Sequence, residues 1–145
     1  MVEECLLELQ EDSHKLEPHF WSKPEEIKGI YIDSLVKEVA EEEGSIFVCQ
    51  ADGKVVGMAA VTVSGRDNSP DVAIKEYGHI IELAVLREYK GRGYGSALLA
   101  KAEEFIREKG IDWMQFNVLK GNSAVDFYKK AGYRERSVRM EKKLK

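Results

Sequence analysis

Leucines set among acids open the chain: Leu6, Leu9 and Leu16 recur at loosely helical spacing across Glu3 to Leu16, and Pro18 ends this predicted first helix. After the breaker-rich HKLEPHFWSKP, Ser22 and Glu25 stand three residues apart beside Pro24, a capping box that starts a second helix. Its stripe is Ile27, Ile30, Tyr31, Leu35 and Val39, and the acidic run Glu41 to Glu43 with Gly44 stops it. Ile46 to Gln50 and Val55 to Val63 are β-branched or small apolar runs joined by Ala51-Asp52-Gly53-Lys54, which predicts a hairpin.

Ser64 to Lys75, with Gly65, Asn68 and Pro70, reads as a polar loop and Tyr77 to Val85 as a third strand. Gly93, Gly95 and Ser96 open a helix whose stripe is Leu98, Leu99, Ala102, Phe105 and Ile106, with Gly110 at its end. Asp112 to Leu119 is predicted as a strand, Ser123 to Ala131 as a short helix ended by Gly132, and Tyr133 to Leu144 as a final strand. The expected fold is mixed α/β, a largely antiparallel sheet flanked by helices. With no repeat, low-complexity tract or linker, residues 1–145 read as a single domain.

Composition narrows the function classes. The 145 residues are 43% hydrophobic, enough for one core, and no apolar run approaches the roughly 20 residues of a membrane span. The acidic N-terminus is unlike a signal peptide, so a cytoplasmic protein without membrane partners is expected. Cys5 and Cys49 lie far apart without zinc-site spacing, so reduced thiols and no metal are expected. Net charge is −4, which favours no nucleic-acid partner, but it is unevenly spread: 7 Lys/Arg against 18 Asp/Glu up to residue 86, then 15 against 8. If both parts line one cleft, the basic part suits a polyanionic ligand and the acidic part a cationic one; ordinary solvated helix faces are the competing reading.

The segment ELAVLREYKGRGYGSALL joins an apolar strand to an amphipathic helix through Gly91, Gly93 and Gly95. Glycines let the backbone adopt positive φ and approach a ligand, so free N–H groups at the helix start can converge on one anion, aided by the helix dipole. A purely structural turn is the alternative. The dinucleotide fingerprint fails, because its third glycine would fall on Ser96 or Leu98, and a Walker A loop fails for want of Gly-Lys followed by Ser or Thr.

The order strand, KGRGYG turn, helix and downstream NSAVDFYKKAGY resembles the GNAT superfamily of acyl-CoA-dependent N-acyltransferases, over roughly residues 44 to 144. The first family signature falls on Lys90, Gly93 and Gly95; Lys90 departs from its Gln or Arg, keeping charge while losing the planar fork. The second falls on Asn122, Ala124, Phe127, Tyr128, Gly132 and Tyr133. A further departure is the start, since family members open with a short strand that is either missing here or displaced.

The resemblance implies that the strand Tyr77 to Val85 splays from its neighbour and that main-chain groups of Leu83, Ala84 and Val85 bond the pantetheine arm of acetyl-CoA. It implies a pyrophosphate on the N–H groups of Gly91, Arg92, Gly93, Tyr94, Gly95 and Ser96, with Arg87, Lys90 and Arg92 as cations. An amine with a pKa of about 10.4 is neutral only about once in 2,500 molecules at pH 7, so a proton acceptor is needed. His79 and Glu82 are candidates, facing opposite ways on a regular strand unless a bulge intervenes, and either can instead be structural. Tyr128 matches the family's donor to the leaving thiolate, and Asn122 bonds the pantetheine or caps a helix. Neither cysteine fits a covalent relay.

The acceptor is expected against the first two helices, where His14, His19, Phe20, Trp21 and Tyr31 cluster, although Phe20 and Trp21 also suit a core. Direct acetylation of a small cationic amine leads, with a protein lysine or N-terminus and a non-catalytic acyl-CoA-binding module as alternatives. A homodimer through the edge of Ser137 to Leu144 is expected from its alternation of polar and apolar residues.

Overall fold

The computed structural model describes residues 2–65 and 69–145; Asn68 of the expected polar loop lies outside the described residues. The first element is α1 (Val2–Leu16), and no strand precedes β1 among the described residues. The single helix expected after Pro24 is two, α2 (Pro24–Ile27) and α3 (Tyr31–Glu41). Gly29 divides them: its φ of +77° leaves helical space, and its N–H donates to Glu3 Oε2 at 2.6 Å, tying the break to α1. The cap also shifts by one residue, with the Lys23 N–H donating to Glu26 Oε2 at 2.9 Å in place of the expected Ser22 and Glu25 pair.

Strands β1 (Ser45–Ala51), β2 (Lys54–Ser64) and β3 (Tyr77–Val85) form an antiparallel sheet in that order. The hairpin turn has two successive positive φ values, Asp52 at 52° and Gly53 at 75°, the geometry that matches strand twist. Val55 to Val63 is buried without interruption because both faces of β2 are covered. On one face Met58 and Ala60 pack with Cys5 and Leu6 of α1 and Leu35 and Val39 of α3. On the other, Val61 and Val63 pack with Ala102 and Ile106 of α4 (Tyr94–Glu108).

Beyond β3 the ladder stops almost at once. Gly78 accepts from the Gln115 N–H at 2.9 Å and donates to the Trp113 carbonyl at 2.8 Å, an isolated parallel bridge to Met114. A Cβ on Gly78 would collide with Ile106 and the Met114 sulfur, so this approach requires glycine. No further rung forms among the described residues, and the strand expected over Asp112 to Leu119 is this bridge alone. The strand expected over Tyr133 to Leu144 is likewise absent: the segment follows α5 (Ala124–Lys130) without regular secondary structure, with Val138, Met140 and Leu144 at 83 to 85% exposure. Alternation in sequence marks side chains that tolerate a strand; a ladder also needs a neighbouring strand to bond, and among the described residues none pairs with this segment.

Candidate active site

Strand β3 organises the site through one irregularity. Thr62 pairs with His79 and Ala60 with Glu82, so Ile81 is an extra residue opposite the shift between Ala60 and Val61. Thr62 and Ala60 are two apart and share a face of β2; their partners His79 and Glu82 therefore share a face of β3. The opposition expected for a regular strand is cancelled by the bulge. Past it, the Leu86 N–H donates to Val56 O at 2.8 Å, so by alternation the main chain of Ala84 faces β2 while that of Leu83 and Val85 faces the open edge. Of the three expected main-chain contacts, Leu83 and Val85 are thus presented.

The open edge runs into the glycine turn. A short 3₁₀ turn, Arg87–Tyr89, leads to Gly91 at φ +77° and Gly93 at φ +90°, and Gly93 is the residue before α4. No side chain caps this helix, so the first N–H groups, those of Tyr94, Gly95 and Ser96, remain available to an anion. The Arg92 guanidinium sits 5.1 Å and the Lys54 ammonium 5.6 Å from the ring centroid of Tyr89, whose hydroxyl donates to Asp52 Oδ2 at 2.9 Å. Lys90 Nζ lies 3.9 Å from Asp12. Arg87 is turned away: its guanidinium binds Asp12 at 2.9 Å and Glu11 at 3.2 Å, and its amide donates to Glu8 at 2.9 Å.

Tyr128 of α5 packs beside that edge with Ile80, Leu99, Leu83 and Phe116, the Phe116 and Tyr128 ring centroids 4.6 Å apart. Burial and the nearby Glu82 charge push its phenol up to about 12, so it is protonated at neutral pH. The ring is buried, yet the hydroxyl has no hydrogen-bond partner among the described residues. Since none of their buried polar side-chain atoms lacks a partner, this oxygen touches solvent. Asn122 Oδ1 accepts the Ala124 N–H at 2.9 Å, a turn that leads into α5, whose N-cap Ser123 makes no side-chain cap, and among the described residues the Asn122 amide NH₂ has no partner.

On the other face, the Glu82 carboxyl is pushed up to about 7 by burial, against the pull of a hydrogen bond donated by the Tyr31 hydroxyl and with the help of Glu38. His79 Nδ1 lies 3.1 Å from the Gln115 carbonyl, an anchor that leaves Nε2 without a partner among the described residues. The Tyr31 ring lines an open cavity of about 380 Å³ bounded also by Phe20, Trp21, Glu26, Ile27 and Ile30. A second, of about 290 Å³, is lined by His14, His19, Phe20 and Trp21. Neither reaches the glycine turn; both lie where the acceptor was expected. Phe20 and Trp21 are 58% and 36% exposed and stack edge to face at 4.9 Å, so the core reading of both is overturned. The cysteines offer no activated thiolate: burial pushes Cys5 to about 11 and raises Cys49.

Sequence reasoning missed the bond between Tyr31 and Glu82. The signal was present, since Tyr31 shares the stripe of Leu35 and Val39 that α3 lays on the sheet.

The acetyltransferase (GNAT) family model matches residues 6–133. The chain is 33% identical over 98 residues to the uncharacterized N-acetyltransferase MJ1207 of Methanocaldococcus jannaschii, covering 67% of this chain and 42% of that protein. It is 32% identical over 104 residues to an N-alpha-acetyltransferase of Sulfurisphaera tokodaii, covering 69% and 62%. The chain thus spans about two-fifths to three-fifths of the length of these curated relatives. A solved mutant of the BH1408 protein of Bacillus halodurans shares the fold, with a TM-score of 0.86 at 18% identity over 99% of this chain and 91% of that one. The parted strands, the uncapped glycine turn and the match over residues 6–133 agree: this chain belongs to the acetyltransferase (GNAT) family.

Proposed function

We propose that the chain is an N-acetyltransferase that moves an acetyl group from acetyl-CoA directly to a small cationic primary amine. The observation that carries this reading is the unpaired edge of β3 at Leu83 and Val85, continuous with the uncapped start of α4. One extended arm can bond that edge while its phosphates meet the N–H groups of Tyr94, Gly95 and Ser96, with Arg92, Lys90 and Lys54 supplying charge. Acetyl-CoA brings a thioester whose carbonyl carbon is the electrophile and whose sulfur is the leaving group.

The chain's own groups move two protons. Glu82, with a value near neutrality, takes one from the incoming ammonium, directly or through a water, and His79 Nε2 on the same face is the other base within this reading. Tyr128, protonated and open to solvent, gives one to the departing sulfur and is restored by the second proton that the acylated nitrogen sheds. The aromatic cavity at Phe20, Trp21 and Tyr31, with Glu26 on its wall, suits a cation. A peptide amine is the second reading, favoured by the openness of that cavity and by the relative named an N-alpha-acetyltransferase.

Thiol release from acetyl-CoA across polyamines, amino sugars, amino acids and peptides, with wild type beside Tyr128→Phe, tests the proposal. Amine-dependent release that falls at least tenfold in the variant supports it. Tight acetyl-CoA binding with no release from any amine would replace it with a binding module.

A further inference from the structure

Glu82 stands in an unfavourable setting for a carboxylate. It is recessed on the face of β3 that α1 and α3 cover, where α1 contributes Cys5 and Leu6. Glu38 of α3 adds negative charge, His79 shares its strand face, and Tyr128 of α5 lies within its electrostatic reach. Among the described residues a single group donates a hydrogen bond to it, the Tyr31 hydroxyl, to Oε1. That leaves Oε2 to meet another partner.

Tyr31 occupies the first position of α3, yet the packing of that helix rests on residues further along. Leu35 and Val39 fill the core at 0% and 7% exposure, while Tyr31 stays half-buried at its margin. Its ring lines the cavity bounded by Phe20, Trp21 and Ile30, and its hydroxyl reaches Glu82, which does not itself line that cavity. Tyr31 therefore stands between the space expected to hold an acceptor and the carboxylate expected to take its proton.

We propose that Tyr31 is a positioning residue for Glu82: its donated hydrogen bond fixes the carboxylate, holds it in the proton-accepting form, and links occupation of the aromatic cavity to proton removal. This rests on the transferase reading for its role in turnover, while its effect on the Glu82 carboxylate can be read without any substrate. A hydrogen bond to the ionised form favours that form, so removing it must make Glu82 harder to ionise.

The test is Tyr31→Phe, which deletes one oxygen and keeps the ring. In protein carrying ¹³C at glutamate carboxyls, with Glu82→Gln identifying the resonance, the Glu82 midpoint is expected to move upward by roughly one pH unit. In acetyl transfer, the acidic limb of kcat/KM for the amine should move the same way. The activity lost at pH 7 should return at pH 9, and KM for acetyl-CoA should stay as in wild type. An unchanged midpoint, a loss equal at every pH, or a variant that does not fold would each overturn the proposal. Wild type silent toward every amine would instead remove the transferase reading, and the midpoint would still decide whether Tyr31 controls the carboxylate.

Discussion

Arg87, on the turn after β3, is bound to Asp12 of α1 at 2.9 Å, and its own amide donates to Glu8 of the same helix. A cation adjoining the glycine turn is thereby spent on holding α1 against the sheet. Arg92, stacked on Tyr89, has no carboxylate partner of this kind among the described residues. Arg87→Ala should therefore change acetyl-CoA affinity by less than about threefold and, its pair being exposed, cost no more than about 1 kcal/mol. Arg92→Ala should weaken acetyl-CoA by about tenfold, with the loss shrinking at high salt; calorimetric titration at two ionic strengths distinguishes the two residues.

Gly93 holds φ at +90° immediately before α4, where a β-branched residue is strained. Gly93→Val should destabilise the chain by about 1–2 kcal/mol and weaken acetyl-CoA by more than tenfold, because the first N–H groups of the helix lose their common direction. Equal affinity for acetyl-CoA in the two proteins would contradict an anion site at this turn.

Tyr128→Phe removes a hydroxyl that has no protein partner among the described residues, so it should leave the thermal midpoint within about 2 °C of wild type. Under the proposed mechanism kcat should fall by about 10²-fold or more with little change in KM for acetyl-CoA. Steady-state kinetics alongside calorimetry would expose a purely structural role as loss of stability without that selective loss of turnover.

Glu82 titrates near 7 in the folded chain against 4.5 for an ordinary carboxyl, so the folded state binds its proton more tightly than the unfolded one. The stabilisation from this protonation is complete below about pH 4.5 and is lost as pH rises through about 7. Glu82→Gln should abolish that slope and gain on the order of 2–3 kcal/mol relative to wild type between pH 5 and pH 8, as urea unfolding would record.

Gly78→Ala would force a methyl into the space of Ile106 and the Met114 sulfur. It should cost about 1–3 kcal/mol and loosen the rung that joins β3 to Met114. Hydrogen exchange at the Gln115 amide, which donates across that rung, should speed up more than exchange within β2.

The chain's patterning foretells the hairpin, β3, the turn and α4, because each rests on local rules: a two-residue turn, a buried apolar run, a glycine before a helical stripe. What escaped it depends on neighbours. Nothing local in Tyr133 to Leu144 or Asp112 to Leu119 says whether a strand edge will be there to bond, and the unbroken stripe from Ile27 to Val39 conceals a positive φ at Gly29. Phe20 and Trp21 look like core by composition and are exposed by topology. The order of the candidate site was readable at the glycine turn and Tyr128, whereas the contact between Tyr31 and Glu82 joins residues 51 apart and needs the fold.

The extra residue in β3 has a double effect. Absorbing Ile81 into regular alternation, with no residue removed, would turn His79 and Glu82 to opposite faces if one end of the strand holds its register. It would also put the outward main-chain groups of Leu83 and Val85 out of step with Gly78. The candidate base and the candidate donor-binding edge are thus coupled by parity: neither can be re-aimed along this strand without disturbing the other, so under the proposed function a change in acceptor preference has its freest room in the helices and the aromatic cavity.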